Sequence, residues 1–191
     1  MTEWKLFNEA NPHVSTFAFH EHRARAPHLE QIDHRQRLET CARLIRDLQP
    51  ASVVDLGCGD GGLLSLIQDI PSWGYDFQPA NADGWIQRGV IAEHRDVFNA
   101  FDVPRWGDLV VMTEVLEHLA DPHAVIEWVS RHAEWVVASS PKNETGDHHG
   151  DCHAWAWDLD GYLDLFEPHF QVTSHTTIDW SQIIVGRSQH T

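Results

Sequence analysis

The stretch SVVDLGCGDGGLL, residues 52–64, decides the fold. An apolar run ends at Asp55, glycines follow at positions 57, 59, 61 and 62, and leucines then resume. This order is typical of a buried strand that turns sharply into a helix and leaves the backbone of the turn open to a ligand. Asp55 would face the start of that helix, where a carboxylate repels a pyrophosphate and attracts an amino group. The stretch therefore favours a ligand with an ammonium group, although dinucleotides also use such a loop.

The segments on either side of this stretch alternate between strand and helix patterns. Residues 28–48 repeat apolar side chains at a helical period and are followed by Pro50. Strands are predicted at SWGYDFQP, VIAEHRDVF, DLVVMTEVLEHL (which turns into a helix) and EWVVASSP, helices at GLLSLIQDI, DPHAVIEWVSRH and DLDGYLDLFEPHF, and a closing antiparallel pair at QVTSHTTI and QIIVGRS. Such alternation predicts an α/β protein with a mostly parallel sheet covered by helices on both faces.

Length and composition narrow the class of protein further. A chain of 191 residues suits one domain, which we divide into an N-terminal arm or lid (1–28) and a catalytic core (29–191). The excess of 29 acidic over 13 basic residues gives a net charge of −16, which disfavours a large nucleic-acid surface without excluding a small one. The three scattered cysteines predict a cytoplasmic enzyme, and the lack of an apolar run of membrane length predicts no membrane partner. We expect a monomer or a homodimer.

The motif VVDLGCGDGGLL resembles the first motif of the class I S-adenosylmethionine-dependent methyltransferases, an acid followed by Gly-x-Gly-x-Gly. The resemblance extends over about residues 30–187 and implies a Rossmann-like, mostly parallel seven-stranded sheet with an antiparallel last strand, and S-adenosyl-L-methionine as cofactor. Asp76 matches the acid that holds the ribose hydroxyls, and Asp96 matches the acid near the adenine amino group. The cofactor-binding residues implied are Asp55, Gly57, Gly59, Gly61, Asp76, Phe77, Asp96, Val97 and Thr113.

The segment EVLEH supplies Glu114, Glu117 and His118, which would share one face of a helix. The same letters resemble the Glu-x-x-Glu-His of ubiquinone-pathway O-methyltransferases. They also resemble that of small-RNA 3′-end 2′-O-methyltransferases, and in this second group the acids and the histidine bind a metal that holds the terminal hydroxyls. In the latter group a further histidine follows the fifth strand, and here the loop DHHGDCHAW follows it. We expect Glu114, His118 and His153 to act in catalysis. A divalent metal ion, if bound, would take its ligands from Glu114, Glu117, His118, His149 and His153.

The functional expectation is methyl transfer from S-adenosylmethionine, with the hydroxyl of a small molecule as acceptor. Three alternatives stay open at this point: a metal-dependent RNA 2′-O-methyltransferase, an NAD-dependent oxidoreductase, and a cofactor-binding protein without catalysis. Cys152 is a further soft ligand in the histidine-rich loop. Trp155 and Trp157 would either wall the acceptor pocket or fill the core under this loop.

Overall fold

The computed structural model describes residues 3–6, 23–25, 27–99 and 101–190. Its strands are β1 (Glu3–Lys5), β2 (Val53–Leu56), β3 (Ser72–Asp76), β4 (Ala92–His94), β5 (Leu109–Thr113), β6 (Trp135–Pro141), β7 (Trp155–Trp157), β8 (Phe170–Ile178) and β9 (Ser181–Ser188). Its α-helices are α1 (Ile32–Leu48), α2 (Gly62–Leu66), α3 (Ala82–Arg88), α4 (Pro122–Ser130) and α5 (Leu159–Phe166). Within these ranges, none of the helices combines the length and apolar character needed to span a membrane.

The central sheet has the strand order β4-β3-β2-β5-β6-β9-β8. Strands β2 to β6 pair in parallel, whereas β9 runs antiparallel to both β6 and β8. The helical crossovers between the parallel strands place all their carboxyl ends on one edge of the sheet. This arrangement confirms the predicted α/β fold with a mostly parallel seven-stranded sheet and an antiparallel last strand.

Both faces of the sheet are buried, as the apolar strand sequences require. Alternate side chains point to opposite faces, so that Val53 and Leu109 join one apolar cluster while Val54 and Val110 join another. The first cluster also contains residues of α1, α2 and α3, and the second contains residues of α4 and α5. The helices therefore cover both faces and leave only the loops at the strand ends free to form a site.

Several predicted elements are shorter in the structure. The helix expected from residue 28 begins with the 3₁₀ turn His28–Glu30 and becomes α-helical only at Ile32–Leu48. The third strand is reduced to Ala92–His94, and α2 ends at Leu66. These segments lie at the sheet edge or next to the glycine turn, where neighbouring contacts outweigh local preference.

The strand pair β1–β7 was not predicted. Glu3 pairs with Trp157 in an antiparallel register, and the Trp157 indole N–H donates to Glu3 Oε2 at 2.8 Å. Trp157 is 1% exposed and Trp155 is 8% exposed, and both belong to the core cluster rather than to the wall of the site. The two tryptophans thus fill the core under the histidine-rich loop. Of the predicted arm or lid, residues 1, 2, 7–22 and 26 lie outside the described residues, so this expectation stays a prediction.

Candidate active site

A cavity of about 930 Å³ opens at the carboxyl ends of β2, β3 and β5. Parallel strands of this kind place their ligands at that edge, where the strand order reverses. Of the residues expected to bind the cofactor, the cavity is lined by Asp55, Gly57, Gly59, Asp76, Phe77, Asp96 and Thr113. Val97 does not line it, because its side chain is 1% exposed and packs in the core. Gly61 is not among the lining residues and is the residue that precedes α2.

The glycine turn adopts a backbone that other residues avoid. Gly57 has φ +80°, and a methyl group added to it would lie 2.6 Å from Cγ2 of Val115. Gly61 has φ +79° and allows the chain to enter α2. The turn is therefore shaped by both the left-handed backbone angles and the close approach of the segment after β5.

Asp76 connects this turn to the end of β3. Its carboxylate accepts hydrogen bonds from the Gly59 N–H at 2.9 Å, the Gln78 N–H at 2.8 Å and the Asn81 side-chain amide at 3.0 Å. Burial raises the pKa of Asp76, although these hydrogen bonds oppose the rise. The carboxylate is consequently fixed in orientation at the point where the sequence places a ribose-binding acid.

Asp55 is the buried acid before the first glycine. It is 1% exposed, and its Oδ1 has no hydrogen-bond partner among the described residues. Burial, with a further contribution from the charge of Asp76, raises the pKa of Asp55 to about 8. A cationic group in the cavity would stabilise the ionised form of Asp55, as the sequence analysis expected of a ligand with an ammonium group.

Asp96 lies in the loop after β4 and lines the same cavity. Its Oδ1 accepts hydrogen bonds from the backbone N–H groups of Phe98 at 3.2 Å and Asn99 at 3.1 Å. These bonds hold the loop in a tight turn of the kind that aspartate favours. The turn at Asp96 therefore forms part of the cavity wall.

The segment after β5 is not the helix that the sequence predicted. Glu114 has φ +56°, and only Leu116–His118 form a single 3₁₀ turn. Glu114 Oε1 accepts from Ser139 Oγ at 3.1 Å and lies 3.5 Å from Arg37 Nη1. The two acids and His118 still line one cavity, but this results from a left-handed residue and a tight turn rather than from a shared helical face.

Glu117 is 0% exposed, and neither of its carboxyl oxygens has a hydrogen-bond partner among the described residues. Burial, and then the neighbouring charge of Glu114, raises the pKa of Glu117 well above its ordinary value. A buried carboxyl group without partners is costly, so it commonly marks a position where a proton or a cation is exchanged.

The histidine-rich loop brings His153 to this end of the cavity. The His118 and His153 rings lie 5.0 Å apart at their centroids, and His118 Nδ1 donates to the Cys152 carbonyl oxygen at 3.1 Å. His153 Nδ1 donates to Glu144 Oε2 at 2.8 Å. Burial alone would lower the pKa of His153, but hydrogen bonds to Cys152 and Glu144 and the charge of Glu117 raise it to about 10.

His149, included among the expected metal ligands, does not reach this group. Its side chain is exposed, its Nδ1 donates to the Gly150 carbonyl oxygen at 3.0 Å, and it is not among the cavity-lining residues. The loop between β6 and β7 bends at a bridge between Thr145 and His148, which leaves His148 and His149 on the outside. The structure therefore brings one histidine of the loop, His153, into the cavity.

A basic and aromatic wall of the cavity escaped the sequence analysis. Arg37 of α1 is 2% exposed, donates from Nη1 to His34 Nδ1 at 3.1 Å, and lies with its guanidinium 5.3 Å from the Trp180 ring centroid. His28 stacks on His34, and burial with the charge of His34 lowers the pKa of His28 to about 4. The signal available in the sequence was an arginine within the apolar stripe of α1, next to Leu38.

Comparisons with known proteins agree with this geometry. A family model described as a methyltransferase domain matches residues 28–181. The N-methyltransferase NodS from Bradyrhizobium japonicum WM9, in complex with S-adenosyl-L-homocysteine, has a similar structure, with 14% identity and a TM-score of 0.72 over 90% of this chain and 96% of that one. The methyltransferase domain of bacterial CtHen1-CN is 21% identical, with a TM-score of 0.65 over 81% and 99% of the two chains.

A third similar structure is the magnesium protoporphyrin IX methyltransferase ChlM from Synechocystis PCC 6803 with bound S-adenosyl-L-homocysteine. It is 17% identical, with a TM-score of 0.62 over 83% of this chain and 84% of that one. A search among curated protein sequences finds no match. The fold and the glycine turn are those of a Rossmann-like cofactor-binding enzyme, and the match to the methyltransferase model identifies which class of such enzymes it is. The chain belongs to the class I S-adenosylmethionine-dependent methyltransferases.

Proposed function

We propose that this enzyme transfers a methyl group from S-adenosylmethionine to a hydroxyl oxygen of a small-molecule acceptor. The observation that carries the proposal is Glu117, whose buried carboxyl group has no hydrogen-bond partner among the described residues and lines the same cavity as the glycine turn. An acceptor hydroxyl must lose its proton as its oxygen is methylated, and a buried acid in the same cavity as the imidazoles of His118 and His153 suits this task. Membership in the methyltransferase family supports S-adenosylmethionine as the methyl donor, and the polar side chains at the far end of the cavity support a hydroxyl as the methyl acceptor.

The residues of the glycine turn fit the cofactor. The left-handed backbone at Gly57 and Gly59 leaves peptide groups accessible where a side chain would otherwise stand. Asp55 would hold the ammonium group, because its Oδ1 is buried and has no hydrogen-bond partner among the described residues. Asp76, already oriented by three donors, would accept from the ribose hydroxyls with its remaining lone pairs. When bound, S-adenosylmethionine supplies an electrophilic methyl group on a sulfonium.

The other end of the cavity would position and deprotonate the acceptor. His118 is oriented by its hydrogen bond to the Cys152 carbonyl oxygen, and His153 by its hydrogen bond to Glu144. Glu114, held by Ser139 and near Arg37, would orient the acceptor through a hydrogen bond. Such fixed donors and acceptors lower the barrier because the reacting oxygen is already aligned with the methyl group when both substrates are bound.

The acidic residues here also fit a divalent ion. The unpartnered oxygens of Glu117 would be ligands, together with Glu114, His118 and His153, since a cation would offset the burial of the carboxylate. A bound ion would supply Lewis acidity to the acceptor hydroxyl and lower its pKa. His149 is left out of this ligand set because its side chain is exposed outside the cavity.

A methyl-release assay tests the proposal. The purified protein is incubated with S-adenosylmethionine and a panel of catechols, sugars, peptides and short RNAs, with and without chelator. We expect transfer to a hydroxyl-bearing small molecule, and Glu117→Gln should remove it while leaving S-adenosylhomocysteine binding in calorimetry nearly unchanged. Transfer only to amines, or full activity of the Glu117→Gln variant, would contradict the proposal. Tight NAD binding without S-adenosylhomocysteine binding would contradict the donor assignment.

A second candidate acceptor is the terminal 2′-hydroxyl of an RNA. The presence of Glu114, Glu117 and His118 in one cavity with His153 favours it, because this pattern resembles that of the small-RNA 3′-end 2′-O-methyltransferases. The net charge of −16 opposes it, because RNA binding requires cations at the phosphates. Two short RNAs distinguish this acceptor from a small molecule, one ending in a vicinal diol and the other in a 2′-deoxy nucleotide. Methylation of the RNA with the diol, and not of the 2′-deoxy RNA, would identify an RNA 2′-O-methyltransferase.

A further inference from the structure

We propose that residues 23–25 form a clasp over the cofactor cavity, and that Arg25 and Gln78 position it there. Arg25 fastens the clasp to Asp60 of the glycine turn, and Gln78 fastens the clasp backbone to the end of β3. The clasp must open for the cofactor to enter and for its demethylated product to leave. It therefore acts on cofactor exchange, whichever acceptor receives the methyl group.

Arg25 is the first of the two anchors. Its Nε and Nη2 donate to Asp60 Oδ2 at 3.3 and 3.2 Å, and its Nη1 donates to Gln87 Oε1 at 2.6 Å. Asp60 follows Gly59 in the glycine turn and is 1% exposed. A carboxylate that is buried so deeply needs cationic partners. The guanidinium of Arg25 therefore ties the clasp to the turn that faces the cofactor.

Gln78 is the second anchor and follows β3. Its side-chain amide donates to the carbonyl oxygens of Arg23 at 2.7 Å and Ala24 at 3.1 Å. Its backbone N–H donates to the carboxylate of Asp76 at 2.8 Å, and Asp76 is the acid proposed above to hold the ribose. Because one residue contacts both the clasp and this acid, occupation of the ribose position and closure of the clasp are linked through Gln78.

The clasp lies on the cavity and not merely beside it. Arg23 and Ala24 line the cavity together with His28, which follows the clasp, and with Gly57 and Gly59 of the glycine turn. A methyl group added to Gly59 would lie 3.7 Å from His28 Nδ1, so the chain after the clasp passes close to the turn. A ligand held by the turn is therefore covered by this segment, which has to move before the ligand can leave.

A second arginine allows the clasp to open without unfolding the turn. Arg88 of α3 donates from Nη2 to Asp60 Oδ2 at 2.7 Å, and its side chain is 12% exposed. When Arg25 leaves, Asp60 keeps this cationic partner, so the buried carboxylate is not left unpaired. Arg25 is 22% exposed and can exchange its contact with Asp60 for water. Opening thus costs far less than breaking a fully buried ion pair.

Hydrogen–deuterium exchange of the full chain, with and without S-adenosylhomocysteine, tests whether the clasp closes over the ligand. We expect the ligand to slow amide exchange both in the glycine turn and in the peptide that contains residues 23–25. Arg25→Ala should keep the protection of the turn and lose most of that at residues 23–25. Protection of the turn alone in the wild type would overturn the clasp. Protection at neither place would refute the cofactor assignment, and the clasp with it.

Stopped-flow binding of S-adenosylhomocysteine, followed by tryptophan fluorescence, measures the effect on exchange. Release should be about 5- to 20-fold faster in Arg25→Ala and about 3- to 10-fold faster in Gln78→Ala. Association should also be faster in both variants, because a closed clasp obstructs entry as well as exit.

Arg43→Ala is the matched control, since it removes an exposed arginine of α1 that does not line the cavity, and it should bind and release the ligand as the wild type does. Thermal unfolding followed by circular dichroism checks that each variant is folded. Unchanged release in both clasp variants would overturn the proposal. Faster release with unchanged association would also overturn it, because Arg25 and Gln78 would then only stabilise the bound ligand and not gate its passage.

Discussion

Replacing Asp55 by asparagine should make the cofactor-free protein more stable at neutral pH. Asp55 is 1% exposed, and its pKa is raised from an ordinary 3.8 to about 8 by burial and by the charge of Asp76. The unfolded chain therefore loses this proton near pH 4, whereas the folded protein keeps it until about pH 8. Stability from this group is fully present below pH 4 and is lost as the pH rises through this window.

The magnitude follows from the size of the shift. One pKa unit corresponds to about 1.4 kcal/mol, so Asp55 lowers the stability at pH 7 by about 4 kcal/mol relative to its value at acid pH. The asparagine amide does not titrate, but burying it without partners costs about 1–3 kcal/mol. We therefore expect Asp55→Asn to gain about 1–3 kcal/mol at pH 7.

Urea denaturation of both proteins from pH 5 to pH 9 measures this effect. The difference between the variant and the wild type should grow by about 1.4 kcal/mol per pH unit and level off near pH 8. The two glutamates after β5 also have raised pKa values, but they remain in both proteins and cancel in the difference. The charge of Asp76 contributes to the raised pKa of Asp55, so the difference measures Asp55 together with its coupling to Asp76. A difference that does not change with pH would refute the argument that the carboxyl group is desolvated.

The same variant should bind the cofactor product less well. A hydrogen bond to a charged group contributes about 1.5–3 kcal/mol, so calorimetry with S-adenosylhomocysteine should show a loss of about 10- to 150-fold. Asp83→Asn, which removes an exposed acid of α3, controls for the change in net charge. Unchanged affinity together with raised stability would mean that Asp55 does not hold the ammonium group.

Two further predictions concern the glycine turn and Glu117. Gly57→Ala should destabilise the fold by more than the roughly 1–2 kcal/mol that a left-handed backbone costs, because its added methyl group meets Val115. Gly89→Ala is the control, since Gly89 has φ +64° with nothing within 4 Å and should show the backbone cost alone. Equal melting temperatures for the two variants would contradict the clash with Val115. Glu117→Gln should have a higher melting temperature than the wild type at pH 7, and this difference should narrow towards pH 4.5. The reason is that the raised pKa of Glu117 makes the wild type lose stability as the pH rises above the pKa of the unfolded chain. A difference that stays constant across this range would contradict the raised pKa of Glu117.

The sequence by itself determined the fold class and the position of the cofactor loop. These features depend on local patterns: the period of apolar residues along the chain, and glycines at positions such as Gly57 whose backbone angles other residues avoid. Asp55 lies within β2, Asp76 ends β3, and Asp96 follows β4 after Arg95, so these acids could be recognised from their positions relative to the predicted strands. The order of strands then placed all of them at one edge of the sheet.

Only the tertiary structure decided the acceptor end of the site. Glu114 was predicted on a helix and instead takes a left-handed angle, because contacts with Ser139 and Arg37 from other elements override local helical preference. Nothing in the local sequence tells His153 from His149, and the bend of the loop turns the first inward and the second outward. The direction of each histidine depends on contacts between residues that are far apart in the sequence, because the surrounding elements determine whether its side chain has a partner or a cavity to enter.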